Sequence, residues 1–413
     1  MTRGTKTATG PAGRDQAEGR PLTDLVLEFI WHHEQASRAE VARGLSLSRS
    51  TASEIVGDLL ETGLVAEAGD GPSRGGRRPV LLEFQDSAHG ILGVDMGASH
   101  VSVALTDLRA KVLAWHRRDH PVRADPEGTR GLILDLCDAA LRDAPGIRDR
   151  LVGIGVAVPS PVDPARPSRL PATVMPAWEG RTGFHVLTER FGVPIFVDND
   201  ANLGALAEHW WGGARGLGDF TYVKLGTGIG SGHMIRGEIY RGFSSVAGEI
   251  GHLGIDPTGP PCLCGNRGCL TTFAGTPALL ARAEALLAEY PESPLAGSSV
   301  TLEALEDAAL ADDPLALQVV AEAADYLGTA IAGVLNLMNP GAVILGGSLT
   351  RVGDRLFVPL REAALRRTLV SSMASSEIRA SELGPRAFAL GAATQVLDAA
   401  LHDPSLFPGM ART

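Results

Sequence analysis

Apolar residues recur at helical spacing from Leu22 to His33, with Leu22, Leu25, Val26, Phe29 and Ile30 sharing one face. Ser37-Arg-Ala-Glu40 has the form of a capping box opening a second short helix, which Gly44 ends. A third helix is predicted from a cap in Ser46-Leu-Ser48 to Thr62, with Ala52, Ile55, Val56 and Leu59 inward and Gly63 closing it. Two short helices, a tight turn and a third helix make a helix-turn-helix. Leu64-Val-Ala-Glu-Ala and Val80-Leu-Leu-Glu-Phe84 then read as a hairpin around the basic, Gly-rich tip Arg74-Gly-Gly-Arg77-Arg78-Pro79, a wing. Beyond Ser87 the period alternates. Strands at Ile91–Asp95, Val101–Leu105, Leu151–Val158, Val193–Val197, Phe220–Leu225, Gly232–Ile235 and Ala342–Leu345 are separated by helices rich in Ala and Leu, an α/β pattern. Two strand pairs joined by Gly turns suggest a duplicated lobe.

With 413 residues, 44% of them hydrophobic, the chain has room for two or three well-packed domains. A net charge of −11 excludes a generally polyanion-binding surface. Residues 1–86 carry 10 Lys+Arg against 13 Asp+Glu, so any affinity for nucleic acid must rest on placement rather than bulk charge. Residues 1–20 are polar and Gly-rich, predicting a disordered lead with no signal-peptide core. The most apolar stretch, Leu327 to Gly347, is interrupted by Asn336, Asn339 and Pro340, which argues against a membrane span and for a cytoplasmic protein.

A helix-turn-helix sets the start of its second helix in the major groove. Ser48, Arg49, Ser50 and Thr51 would meet phosphates and base edges there, with Arg38 reaching the backbone. Arg74, Arg77 and Arg78, among glycines, suit a minor groove. The alternative is a protein-interaction module with an ordinary solvated loop; helix pattern and basic wing in the right order favour double-stranded DNA. A single module binds weakly, so the expectation is a homodimer or homotetramer on an inverted-repeat operator.

His252, Cys262, Cys264 and Cys269 fall in the spacing H-x9-C-x-C-x4-C. Three thiolates and one imidazole form a closed tetrahedral set, which suits structural Zn²⁺ and leaves no position for a catalytic water. A disulfide is the alternative, disfavoured in a reducing compartment. Cys137, the fourth cysteine, sits on an apolar helical stretch and reads as core.

Two Gly-rich turns follow apolar strands: Asp95-Met-Gly97-Ala-Ser99 and Gly226-Thr227-Gly228-Ile-Gly230. Such turns let backbone N–H groups approach phosphate oxygens, and an acidic residue can orient Mg²⁺, though each is equally an ordinary turn. Gly346-Gly347 after a third strand is a weaker nucleotide signal. Asp198-Asn199-Asp200 ends a strand before a helix. One aspartate would cap that helix, assigned here to Asp198, leaving Asp200 as the general base for a hydroxyl attacking a γ-phosphate. Asn199 and Glu249 offer hydrogen bonds to sugar hydroxyls. His252 would give one ring nitrogen to sugar and the other to metal.

Taken together these residues resemble the ROK family of repressors and sugar kinases from about Ile91 to Ala393; with the winged helix, the chain from Leu22 onward looks like a ROK transcriptional regulator. The resemblance implies a two-lobed, actin-like sugar-kinase fold, zinc on His252, Cys262, Cys264 and Cys269, and sugar contacts from Asn199, Asp200, Glu249 and His252. It implies a division into residues 21–86, a first lobe at 87–200 with a helix at about 388–402 packing back, and a second lobe at 201–387. Three departures separate the chain from a kinase. Thr271 replaces a sugar-binding glutamate. D-M-G-A-S-H stands where D-x-G-G-T-K is usual. Ala172 to Trp178 lacks an asparagine. They imply a sugar-responsive regulator, a repressor of carbohydrate-utilisation genes, with an active ATP- and Mg²⁺-dependent hexose kinase as the alternative and a regulator controlled by a partner protein as a third.

Overall fold

The computed structural model describes residues 21–72, 78–297, 299–368 and 376–410. Helices α1 (Leu22–His32), α2 (Arg38–Gly44) and α3 (Arg49–Glu61) pack with a three-stranded antiparallel sheet of β1 (Ala36–Ser37), β2 (Val65–Asp70) and β3 (Val80–Phe84), ordered β1-β3-β2. The capping box at Ser37 and Glu40 forms as the sequence predicts, and Ser48 caps α3. Val26, Ile30, Val41, Val56, Leu59 and Leu82 are buried at its centre.

Two five-stranded sheets follow. The first contains β4 (Gly90–Met96), β5 (His100–Thr106), β6 (Val112–Asp119), β7 (Leu151–Val158) and β8 (Ile195–Asn199), ordered β6-β5-β4-β7-β8, with α4 (Pro126–Asp143) and α5 (His185–Phe191). Helix α6 (Asp200–Trp210) leads to the second sheet, made of β9 (Phe220–Leu225), β10 (Gly230–Ile235), β11 (Glu238–Tyr240), β12 (Ala342–Gly347) and β13 (Glu377–Ala380) in the order β11-β10-β9-β12-β13. In both sheets three antiparallel strands continue into two parallel ones, the duplication that the paired Gly turns suggest. Around the second sheet lie α7 (Thr271–Ala274), α8 (Thr276–Leu286), α9 (Leu302–Leu310), α10 (Pro314–Met338), α11 (Asp354–Arg366) and finally α12 (Ala387–His402), which returns to β4 and β7. The mixed α/β class with an actin-like pair of lobes is therefore the observed one.

Helix α10 runs through Asn336 and is long and apolar enough to cross a membrane by length and composition; 61% of its apolar window is buried against α11 and its neighbours. The apolar stretch Leu327–Gly347 is divided between the end of this helix and β12, with Asn339 and Pro340 in the turn between them.

Glycines set how closely α12 approaches. A Cβ on Gly155 would lie 1.9 Å from the Ala392 carbonyl oxygen, and one on Gly93 1.9 Å from that of Ala389. On the other side, a Cβ at Gly391 would lie 1.8 Å from the Leu203 oxygen of α6. These contacts are backbone against backbone and cannot be relieved by a rotamer change. Gly155→Ala is expected to lower stability by about 3 kcal/mol, measured by urea unfolding, the cost of overpacking a tight core.

Candidate functional site between the lobes

The chain leaves β8 and enters α6 at Asn199, whose Oδ1 accepts from the N–H groups of Ala201 at 2.9 Å and Asn202 at 3.3 Å. Asn199, not Asp198, is therefore the helix cap. The helix begins at Asp200, so only the residue directly before it has its side chain over the free N–H groups. Asp198 is fully buried and does something else: it accepts from Arg241 Nη2 at 2.6 Å, from Asn202 Nδ2 at 3.0 Å and from its neighbour's N–H at 2.7 Å. The amide of Asn199 also donates to the Ser160 carbonyl at 3.1 Å, which ties the cap to the loop after β7.

Asp200 points into a cavity of about 240 Å³ between the lobes, lined also by Asn199, Glu249, His252, Thr227, Gly228, Thr271, Arg123 and Lys224. It is buried and ion-paired with the Lys224 ammonium. Burial pushes its carboxyl up, against the pull of that ammonium. Glu249 is also pushed up, by burial and by the nearby Asp200. Lys224 was not anticipated from its residue type. The available signal was a charge inside the otherwise apolar strand Phe220-Thr-Tyr-Val-Lys-Leu, where alternation turns it toward the cleft.

The other predicted phosphate-binding residues do not converge on this cavity. Asp95 is buried and accepts from His100 Nε2 at 3.0 Å and Ser102 Oγ at 3.4 Å. The imidazole of His100 lies over Gly97, so that a Cβ there would meet it at 2.4 Å. Ser99 is exposed at the turn, and Ala98 beside it reaches the cavity wall. Gly226 uses its carbonyl to accept from the Thr276 N–H at 2.9 Å. Gly346 and Gly347 end β12 where the Tyr222 hydroxyl and the Leu225 carbonyl leave no room for a Cβ, a packing reason for both.

His252 faces two ways. Its Nδ1 is 3.5 Å from Cys262 Sγ, and its Nε2 is 3.8 Å from Glu249 Oε2 on the cavity side. Cys264 and Cys269 sulfurs are 3.7 Å apart, and all four donor atoms lie within 4.8 Å of one another. Metal–sulfur bonds of about 2.3 Å and metal–nitrogen bonds of about 2.0 Å put the corners of a tetrahedron about 3.5–3.8 Å apart, so the four residues can hold a metal ion. The Asn266 N–H beside Cys264 brings that thiol down to about 7, while burial and the neighbouring sulfurs push Cys269 up to about 12.

In the N-terminal segment Arg49 and Ser50 are exposed at the start of α3. The Ser48 hydroxyl is engaged by the Thr51 N–H at 3.1 Å, and Arg38 Nη2 donates to Glu67 at 3.1 Å. Arg78 is exposed; Arg74 and Arg77 lie outside the described residues. This segment meets the rest at an aromatic cluster. Trp31 of α1 has its ring 5.2 Å from Trp210 and 6.1 Å from Trp211, at the far end of α6. The Arg109 guanidinium covers Trp31 at 4.2 Å and also holds Asp86, while Trp211 Nε1 donates to Thr394 of α12 at 2.7 Å. Helix α6 thus has its first turn in the cavity and its last against α1.

A sequence model of the ROK family matches residues 91–399. The chain is 32% identical over 390 residues to a protein named as a putative xylose repressor from Caldicellulosiruptor sp. (strain Rt8B.4), covering 92% of this chain and 96% of the other. It is 34% identical to a glucokinase of Thermotoga maritima over 309 residues, 74% of this chain and 96% of that one. Among solved structures, a ROK family transcriptional regulator described as a homolog of the E. coli MLC protein superposes with a TM-score of 0.79 at 25% identity, covering 93% of this chain and 96% of that one. A ROK glucokinase from Streptomyces griseus in complex with glucose and AMPPNP gives 0.68 at 27% identity, covering 74% and 98%. The regulators extend over the N-terminal segment and the kinases do not.

Proposed function

The chain belongs to the ROK family, and from that premise we propose that it is a sugar-responsive, DNA-binding transcriptional regulator, a repressor of carbohydrate-utilisation genes acting in the cytoplasm. The observation that carries the choice of regulator over kinase is the state of two carboxylates. A kinase needs a free general base and an acidic residue able to orient Mg²⁺. Here Asp200 is neutralised by Lys224, and Asp95 is engaged by His100. Together with Thr271 in place of a glutamate and a methyl at Ala98, this leaves a cleft that binds sugar without transferring phosphate. Asn199, Asp200, Glu249 and His252 are the sugar contacts in this reading.

The zinc reading rests on the donor set and its spacing. His252, Cys262, Cys264 and Cys269 would hold Zn²⁺, whose contribution is to fix the loop and the orientation of the His252 ring rather than to supply chemistry. His252 Nε2 would then present itself to the sugar beside Glu249.

Sugar binding can alter operator affinity only by favouring one arrangement of the lobes over another. Helix α6 is the lever in this reading: a rigid element about 16 Å long, with Asn199 and Asp200 at one end and Trp210 and Trp211 against α1 at the other. Arg49, Ser50 and Thr51 at the start of α3 and the wing arginine Arg78, with Arg74 and Arg77, would contact an inverted-repeat operator through a homodimer or homotetramer.

Three outcomes test these assignments. In gel-shift titrations with a monosaccharide panel, one sugar is expected to change operator affinity by about 5- to 150-fold; Trp210→Leu should retain the sugar affinity and lose most of the change. No response to any sugar would count against the reading. Mixing protein, ATP, Mg²⁺ and a hexose should release no ADP above background, and release abolished by Asp200→Asn would instead establish the kinase. Elemental analysis should find one zinc per chain, and Cys264→Ser should lower both zinc content and the thermal midpoint.

A further inference from the structure

Besides Cys264 of the cysteine cluster, five ionisable side chains line the inter-lobe cavity: Arg123, Asp200, Lys224, Glu249 and His252. Four of them are matched. Lys224 pairs with Asp200, and Glu249 lies 3.8 Å from His252. Arg123 has no ion pair or hydrogen bond among the described residues, and its Nε is buried with no partner. The nearest acid along the chain, Asp125, is committed elsewhere: its Oδ1 accepts from the Gly128 N–H at 2.9 Å as the cap of α4, and its other oxygen is 3.4 Å from His120.

An unpartnered guanidinium with a buried N–H is costly to keep, and such groups in native proteins are normally satisfied by something. A neutral sugar hydroxyl satisfies one N–H at most and leaves the charge uncompensated. A phosphate or carboxylate meets the planar fork with two parallel charge-assisted hydrogen bonds. The surrounding charges permit it. Position 271, a carboxylate in the kinase pattern, is Thr271 here, Asp200 has its own cation, and Glu249, beside the His252 imidazole, is the wall carboxylate left to the sugar hydroxyls rather than to the anion.

Resting on the sugar-responsive reading above, we propose that the effector is a monosaccharide bearing an anionic group, a sugar phosphate or a sugar acid, and that Arg123 is the residue that selects it. The neutral part of the ligand would meet Asn199 and Glu249, and its anion the Arg123 guanidinium. Phosphate and carboxylate share the chemistry the fork recognises; measurement separates them.

The test is isothermal titration of the full-length protein with glucose and xylose, with glucose 6-phosphate and xylose 5-phosphate, with glucuronate, and with inorganic phosphate. At least one anionic sugar should bind about 10-fold or more tightly than its neutral parent, the size expected of a charge-assisted pair. Arg123→Gln should bring that ratio close to one, and Arg123→Lys should keep part of it; an unchanged circular-dichroism melt of each variant excludes misfolding as the cause. The phosphate and glucuronate arms decide which anion fits. Neutral sugars binding as tightly as their anionic derivatives, or a ratio unmoved in Arg123→Gln, overturns the proposal while leaving sugar response intact. Inorganic phosphate binding with no sugar derivative binding more tightly overturns it too, and no saturable binding of any carbohydrate overturns the sugar-responsive reading itself.

Discussion

The architecture depends on two helices that touch through their backbones. At Gly391 the last helix meets the Leu203 carbonyl of α6, and at Gly93 and Gly155 its opposite side meets the first sheet. No side chain intervenes at these points, so α6, α12 and the first sheet move as packed solids with little play. The second sheet lies against α6 through Gly232, whose missing Cβ would come 2.3 Å from the Ala201 oxygen. Each lobe therefore abuts the same pair of helices, and the cavity opens where α6 begins. A ligand at Asn199 and Asp200 touches the element on which both lobes and the N-terminal segment rest.

Two buried carboxylates near the cleft are held by neighbouring side chains: the Lys224 ammonium pairs with Asp200, and the His100 imidazole hydrogen-bonds Asp95. A lysine buried beside an aspartate keeps both charges satisfied in a site that would penalise either alone.

Much of this was legible in the sequence where the signal is local. Helix period, the Ser37 capping box, the Gly-turn strands and the metal-ligand spacing each depend on residues close along the chain, and the structure contains all of them. The assignment of Asp198 as the cap failed because strand end and helix start differ by one residue, and a one-residue shift exchanges a capping position for a buried one. Asp198 meets Arg241, 43 residues away, an encounter that local pattern does not encode. The same holds for Trp31 against Trp210 and for Arg123 in the cleft. Such long-range contacts come from how the two sheets and α12 are assembled.

His252 carries a consequence for how such a protein can change over generations. One ring nitrogen faces the cysteines and the other the cavity, so any replacement that altered ligand preference there would also take a donor from the metal set. Wall positions such as Thr271, Val174 and Arg123 lie outside that cluster, so they can be exchanged without removing one of its four donors.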